Sequence, residues 1–172
     1  MVTEHSSTQQ PQGHTNADGS DSGKSSAPQN APRSSAIFSG SKTLGTVLVV
    51  DDEPDVRKVI RMTLEKSGYH VIEAEDGDQA IKVLNAGENP ILVDTIITDI
   101  RMPKINGVEA INYFQQQYPS MPLVVLTGYP DLDMATSFMT SGIVDYLVKP
   151  VEKEKLKATV AKAIEQRQIS FM

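Results

Sequence analysis

The stretch Thr46-Val-Leu-Val-Val-Asp-Asp-Glu53 decides the fold, because a run suited to a buried strand leads directly into three carboxylates. Three more short apolar runs also end on a polar residue: Thr95–Thr98 on Asp99, Leu123–Leu126 on Thr127 and Asp145–Val148 on Lys149. In a parallel sheet all strands point the same way, and ligands bind outside their carboxyl ends. We therefore expect an acidic pair, a lone carboxylate, a hydroxyl and an ammonium to meet in one crevice.

Apolar residues at helical spacing alternate with these runs and with a further strand at about Tyr69–Ala74. The pattern predicts five strands and five helices. The first helix begins at Pro54 and ends at Gly68, the second carries an apolar stripe of Ala80, Ile81 and Leu84, and the third opens at Gly107. The fourth and fifth lie at about Asp131–Ser141 and Val151–Arg167. The segment Glu88–Asp94 has the character of a slightly long loop. Continuous apolar strands are typical of a parallel sheet covered on both faces. We predict an α/β fold, a flavodoxin-like doubly wound sheet with strand order 2-1-3-4-5.

Composition excludes several classes of protein. The chain has 172 residues, room for one ordinary domain, and a formal net charge of −6. An acidic balance disfavours nonspecific binding to nucleic acid, and no apolar run approaches the ~20 residues that span a bilayer. The chain has no cysteine, which is compatible with a reducing cytosol. We expect a cytoplasmic protein that neither binds nucleic acid nor inserts into a membrane.

The first 44 residues differ from the rest, being rich in Ser, Gln, Asn, Gly and Pro. Such a segment buries too little apolar surface to offset its chain entropy, so we predict a disordered tail. The alternative is a short docking motif around Ala36-Ile37-Phe38. His5 and His14 stand in this tail without other metal-ligating residues nearby in the sequence.

The carboxylates suit metal binding and phosphoryl chemistry. Two adjacent carboxylates such as Asp51 and Asp52 repel each other unless a cation lies between them, and Mg²⁺ needs only one or two of them. For Glu53, just before Pro54, capping of the first helix is the favoured interpretation. Asp99 is a candidate nucleophile that forms an aspartyl-phosphate. The simpler alternative for Asp99 is a turn before Pro103.

The other two strand ends carry groups that contact phosphate. The hydroxyl of Thr127 can bond a phosphoryl oxygen, and Gly128 leaves room for that group to enter, although Thr-Gly after a strand is also an ordinary turn. A lone lysine after a strand is usually solvated, but the ammonium of Lys149 faces a cluster of carboxylates. Pro150 makes the Lys149–Pro150 bond a candidate cis peptide.

Taken together, four segments resemble the receiver domain of two-component response regulators: Val47-Leu-Val-Val-Asp-Asp-Glu53, Asp99-Ile-Arg-Met-Pro103 with Gly107, Leu126-Thr-Gly128 and Asp145-Tyr-Leu-Val-Lys-Pro150. The four in this order are specific, although no single one is. The resemblance divides the chain into a tail at 1–44, a receiver domain at 45–168 and a C-terminal tail at 169–172.

The resemblance implies a phosphorelay protein that is not an enzyme. A histidine kinase or phosphotransfer protein would donate a phosphoryl group to Asp99. Mg²⁺ would be held by Asp52, by Asp99, by the backbone carbonyl of Arg101 and, through water, by Asp51.

The resemblance also implies contacts from Thr127, Gly128 and Lys149 to the phosphoryl group. Tyr146 would be a switch that turns inward as Thr127 moves, whereas the simpler alternative is a surface aromatic packed on the fourth helix. The face formed by helix four, strand five and helix five would then bind an unidentified output protein. Little sequence follows the fifth helix, so we expect a stand-alone receiver.

Two alternatives stay open. A haloacid-dehalogenase-like phosphohydrolase also uses an aspartate nucleophile, but it needs a second carboxylate two residues later, where this chain has Arg101. A pseudo-receiver would bind partners without phosphate. In the receiver family, Arg101 and Tyr129 occupy variable positions that flank the path of the attacking water, and large side chains there are expected to slow hydrolysis.

Overall fold

The structure, a computed structural model, describes residues 43–102, 107–170 and 172. The predictions for residues 1–42, including the Ala36-Ile37-Phe38 motif, and for Pro103 lie outside the described residues. At the start of the described part, the backbone N–H of Leu44 donates to the carbonyl of Gly68 at 3.0 Å.

Five parallel strands form one sheet in the order β2-β1-β3-β4-β5. They are β1 (Thr46–Val50), β2 (His70–Ala74), β3 (Thr95–Asp99), β4 (Leu123–Thr127) and β5 (Asp145–Val148). The predicted fold class and strand order are confirmed.

The described residues contain six helices, one more than predicted. They are α1 (Pro54–Glu65), α2 (Gly77–Leu84), α3 (Asn89–Leu92), α4 (Gly107–Gln117), α5 (Leu132–Thr140) and α6 (Lys153–Ile169). The additional helix, α3, is a single turn inside the segment predicted as a loop, with Pro90 in its first turn, a position that tolerates proline. Hydrophobic periodicity is read over windows of 11 to 18 residues, roughly, so one turn leaves no such signal.

The core lies in two layers, one on each face of the sheet, because side chains alternate along a strand. On one face, Val47 and Val49 of β1 pack with residues of α1 and α6 such as Leu64 and Val160. On the other face, Leu48 and Val50 pack with residues of α2, α4 and α5, among them Leu84, Phe114 and Phe138. None of the helices in the described ranges is long and apolar enough to cross a lipid bilayer.

Strand register places the polar strand ends side by side. Val50 pairs with Thr98, Asp99 pairs with Leu126, and Thr127 pairs with Val148. The residues that follow these positions therefore leave the sheet along one edge, which we call the carboxyl edge.

Candidate functional site

Three carboxylates converge at the carboxyl edge. Asp51 follows β1 directly, Asp52 comes next, and Asp99 is the last residue of β3. One ligand oxygen from each lies within 4.8 Å of those of the other two. Asp51 and Asp99 are 0% and 3% exposed, so the low dielectric of the interior strengthens their mutual repulsion.

Lys149 lies at the centre of this cluster. Its Nζ is 2.6 Å from Asp51 Oδ2, 2.7 Å from Asp99 Oδ2 and 2.9 Å from Glu53 Oε1. Burial opposes the charge of Lys149, but its close contacts with the three carboxylates outweigh this effect and raise the pKa of Lys149. The Lys149–Pro150 peptide is cis, as predicted.

The prediction that Glu53 caps α1 is wrong. Glu53 occupies the N-cap position with extended backbone, but within the described chain its side chain makes no capping hydrogen bond. The long side chain instead reaches Lys149, which is 96 positions further along the sequence. A short side chain suits an N-cap better, and the nearby ammonium offers Glu53 a charged partner.

The two carboxylate oxygens of Asp51 differ in their hydrogen bonding. Its Oδ1 accepts a hydrogen bond from the backbone N–H of Glu53 at 2.9 Å. Its Oδ2 is buried and, although Lys149 is close, accepts no well-formed hydrogen bond from any described residue. Burial is the largest cause that raises the pKa of Asp51, and the charge of Asp99 adds to it, while Lys149 and the N–H of Glu53 act against it.

This set of oxygens fits a hard divalent cation. Mg²⁺ prefers oxygen ligands, keeps several waters and is held by few carboxylates. The buried and incompletely satisfied Oδ2 of Asp51, beside the carboxylates of Asp52 and Asp99, is the kind of acceptor that such an ion or its water would satisfy.

Asp99 is oriented by donors on both oxygens and by close backbone packing. Oδ1 accepts the N–H of Arg101 at 2.9 Å, and Oδ2 accepts Nζ of Lys149 at 2.7 Å. A Cβ at Gly107 would lie only 2.1 Å from the carbonyl oxygen of Asp99 and 2.5 Å from Cα of Ile100. Sequence analysis treated Gly107 as the start of a helix and missed this contact, although a glycine eight residues after Asp99 was visible.

Thr127 and Gly128 border the cluster from β4. Thr127 is buried, and its Oγ1 accepts the N–H of Tyr129 at 3.1 Å. A Cβ added at Gly128 would meet, in the described part of the molecule, Lys149 Cδ at 3.9 Å and nothing closer, so the entrance is open there. Arg101 places its guanidinium 4.8 Å from the ring centroid of Tyr129, a cation–π contact at the mouth of the site.

Tyr146 links β5 to α5. Its ring stacks on Phe138 with centroids 6.4 Å apart, and its hydroxyl accepts the N–H of Asp131 at 3.4 Å. Asp131 is the N-cap of α5 and accepts the N–H of Met134 at 2.8 Å. The ring is therefore half-buried at the start of the helix that the sequence analysis assigned to the output face.

Known proteins with this arrangement are numerous. Residues 47–161 match the family model of the response regulator receiver domain. The chain is 33% identical over 120 residues to the transcriptional regulatory protein GlrR of Escherichia coli K12. This match covers 70% of the chain and 26% of GlrR. It spans about a quarter of the length of that relative.

Solved structures of receiver domains are also similar to this chain. A receiver domain protein from Clostridium thermocellum is 32% identical with a TM-score of 0.68, and the match covers 73% of this chain and 98% of that protein. The chemotaxis response regulator CheY4 of Vibrio cholerae is 30% identical with a TM-score of 0.62, over 70% of this chain and 99% of CheY4. The chain thus belongs to the response regulator receiver domain family of two-component systems.

Proposed function

We propose that this receiver accepts a phosphoryl group on Asp99 from a histidine kinase or a phosphotransfer protein in the cytoplasm. The observation that carries the proposal is the convergence of Asp99 with two further aspartates and with Lys149 at one sheet edge. The stand-alone character expected from the sequence stays a prediction.

In the proposed transfer, a carboxylate oxygen of Asp99 forms a bond to phosphorus as the P–N bond of a phosphohistidine in the donor breaks. The bonding electron pair stays on the imidazole nitrogen of the donor, so Asp99 needs no base. Because Asp99 is an anion that must approach a second anion, the ammonium of Lys149 at 2.7 Å lowers the repulsion between them.

Asp51, Asp52, Asp99 and the backbone carbonyl of Arg101 would hold Mg²⁺. The bound ion would neutralise negative charge on the incoming phosphoryl oxygens. The residues themselves contribute a fixed set of oxygens: Asp51 is held by the N–H of Glu53, and Asp99 by the N–H of Arg101.

The proposed signal leaves the site through Thr127 and Tyr146. When the hydroxyl of Thr127 turns towards a phosphoryl oxygen, it vacates space that the ring of Tyr146 can fill. The ring then releases the N–H of Asp131, and the start of α5 is free to change. An output protein that prefers this arrangement of α5, β5 and α6 would increase its population.

Labelling tests the acceptor. Incubation with Mg²⁺ and acetyl phosphate should add one phosphate, measured by intact mass, and Asp99→Asn should abolish it. Asp55→Asn, an exposed carboxylate on α1, is the matched control and should label like the wild type. Undiminished labelling of Asp99→Asn would refute the assignment, and catalytic turnover of a generic phosphate ester would favour the hydrolase alternative.

NMR with beryllofluoride, a stand-in for the phosphoryl group, tests the switch. Chemical-shift changes should reach α5, β5 and α6 in the wild type and stay near Asp99 in Thr127→Ala. If the distant changes persist in Thr127→Ala, the coupling follows another route.

A further inference from the structure

We propose that Arg57 is a positioning residue for the cation site, holding the turn between β1 and α1 that carries Asp51 and Asp52. The inference rests on the Mg²⁺ binding proposed above and assigns a role to a residue outside the set of ligands. Arg57 lies on the first turn of α1, and its side chain is only 17% exposed.

The side chain of Arg57 reaches back across the start of its own helix. Its Nη1 donates to the backbone carbonyl of Asp51 at 2.5 Å. Its Nε lies 3.7 Å from Oε1 of Glu73 on β2. A planar guanidinium presents its N–H groups in a rigid fork, so it can hold two such partners in a fixed geometry.

Besides the ammonium of Lys149, three groups hold Asp51 from different sides, and Arg57 is one of them. The N–H of Asp51 donates to the carbonyl of Ala74 at 3.2 Å, and Oδ1 of Asp51 accepts the N–H of Glu53. Arg57 binds the remaining backbone group, the carbonyl. The peptide that joins Asp51 to Asp52 therefore has a fixed orientation, which sets the backbone positions from which the two carboxylates project.

Charge attraction does not account for this placement. A cation near a helix N-terminus opposes the helix dipole, and a cation beside a site for Mg²⁺ repels the ion. The carboxylate of Glu73 reduces both effects, because it lies near the guanidinium while leaving Nη1 free to donate to Asp51. Arg57 thus supplies a held donor whose charge is partly offset.

Arg61 offers a matched control one turn later on α1. Its Nε lies 2.9 Å from Oε2 of the same Glu73, and its Nη1 lies 3.4 Å from Oε2 of Glu65. Like Arg57, Arg61 carries a positive charge and contacts Glu73, but its second partner is Glu65 and not the backbone of Asp51. Arg57→Met and Arg61→Met each remove one positive charge and keep the apolar stem.

The test is calorimetric titration of Mg²⁺ into wild type, Arg57→Met and Arg61→Met. Loss of a residue that orients metal ligands typically weakens metal binding by about tenfold or more, so we expect such a loss in Arg57→Met and none in Arg61→Met. Charge alone predicts the opposite sign, with stronger Mg²⁺ binding in both variants. Unchanged or tighter binding in Arg57→Met would overturn the inference.

Amide hydrogen exchange of the metal-free protein separates this inference from the proposed function. The N–H of Glu53 should exchange faster in Arg57→Met than in wild type or Arg61→Met, whether or not Mg²⁺ binds. Equal exchange rates in all three proteins would overturn the positioning role, whereas a wild type that binds no Mg²⁺ would count against the proposed function alone. Arg57→Lys keeps the charge but loses the planar fork of donors, so its exchange rate should fall between those of wild type and Arg57→Met. It retains a test should Arg57→Met fold poorly.

Discussion

The two edges of the sheet bury charged groups in different ways. At the carboxyl edge, Asp51 and Asp99 crowd around the single ammonium of Lys149. At the opposite edge, Arg167 donates to Oγ of Ser120 at 2.8 Å and to the carbonyl of Pro90 at 3.1 Å. The two charged residues are similarly buried, since Asp51 is 0% and Arg167 5% exposed.

The difference lies in the partners. Arg167 donates to two neutral acceptors and is also attracted by the carboxylate of Asp94, and both effects lower the cost of burying its charge. The aspartates are placed next to groups of the same sign, which costs free energy of folding. Proteins keep such local conflicts mainly where a ligand resolves them, so the conflict itself points to the site. Four substitutions can break or sharpen this comparison.

The largest effect should come from Asp52→Ala at the carboxyl edge. A hard cation with few protein ligands depends on each of them, so Mg²⁺ affinity should fall by at least about tenfold. Asp51→Ala should cost less, because the family resemblance gives Asp51 a contact through water. Calorimetric titration of both variants measures the difference, and wild-type affinity in Asp52→Ala would remove Asp52 from the site.

Gly107→Ala should damage the same edge through the backbone. The added methyl would lie 2.1 Å from the carbonyl oxygen of Asp99, so the strand end must shift, at a cost of about 1–3 kcal/mol in unfolding free energy. Phosphorylation by acetyl phosphate should fall as well. Gly128→Ala is the control for stability, since its methyl meets Lys149 Cδ at an ordinary 3.9 Å. Urea unfolding compares the two, and equal midpoints would contradict the close contact.

Arg167→Met should affect stability without affecting chemistry. Removing the guanidinium leaves Ser120 and the carbonyl of Pro90 without this donor, which should lower the free energy of unfolding by about 1–3 kcal/mol. Mg²⁺ affinity and phosphorylation should be those of the wild type, because the change lies at the opposite edge. A loss of labelling in folded Arg167→Met would show that the two edges are coupled.

The smallest effect should be a gain of stability in Asp51→Asn at neutral pH without Mg²⁺. Burial raises the pKa of Asp51, so the ionised carboxylate is penalised in the folded state at pH values above that pKa. Asparagine removes the penalty. The gain in melting temperature should shrink as pH falls through the folded pKa and should vanish below the unfolded value of about 3.8, because wild-type Asp51 is then protonated in both states. A gain that is equally large at both ends of this range would refute the role of ionisation.

The sequence was most informative about the residues that follow the strands, because the positions of strand ends follow from the topology of a parallel sheet. The strand ends at Asp51, Asp99, Thr127 and Lys149 could be brought together from hydrophobic runs and the rules of parallel sheets alone. The pairing of Glu53 with Lys149 could not, because the contact joins residues 96 positions apart and Glu53 has a local alternative as a cap.

Contacts that involve the backbone could not be predicted from the sequence either. The packing of Gly107 on Asp99 depends on how closely α4 approaches β3. The hydrogen bond from Arg57 to the carbonyl of Asp51 leaves no sequence pattern, since an arginine on an exposed helix turn is ordinary. Periodicity also cannot detect a one-turn helix such as α3.

The hydrogen bond between Thr127 and Tyr129 limits how far phosphorylation alone can shift the equilibrium between the two arrangements of the domain. The hydroxyl of Thr127 already donates to the backbone carbonyl of Tyr129 at 3.3 Å, so donation to a phosphoryl oxygen requires it to exchange one acceptor for another. A hydrogen bond between neutral groups contributes about 0.5–1.5 kcal/mol net and one to a charged acceptor about 1.5–3 kcal/mol, so the exchange yields about 1 kcal/mol. The two arrangements of the domain should therefore lie close in free energy. An output protein with even modest preference would then decide which one predominates, and the strength of the signal would depend on the abundance of that protein.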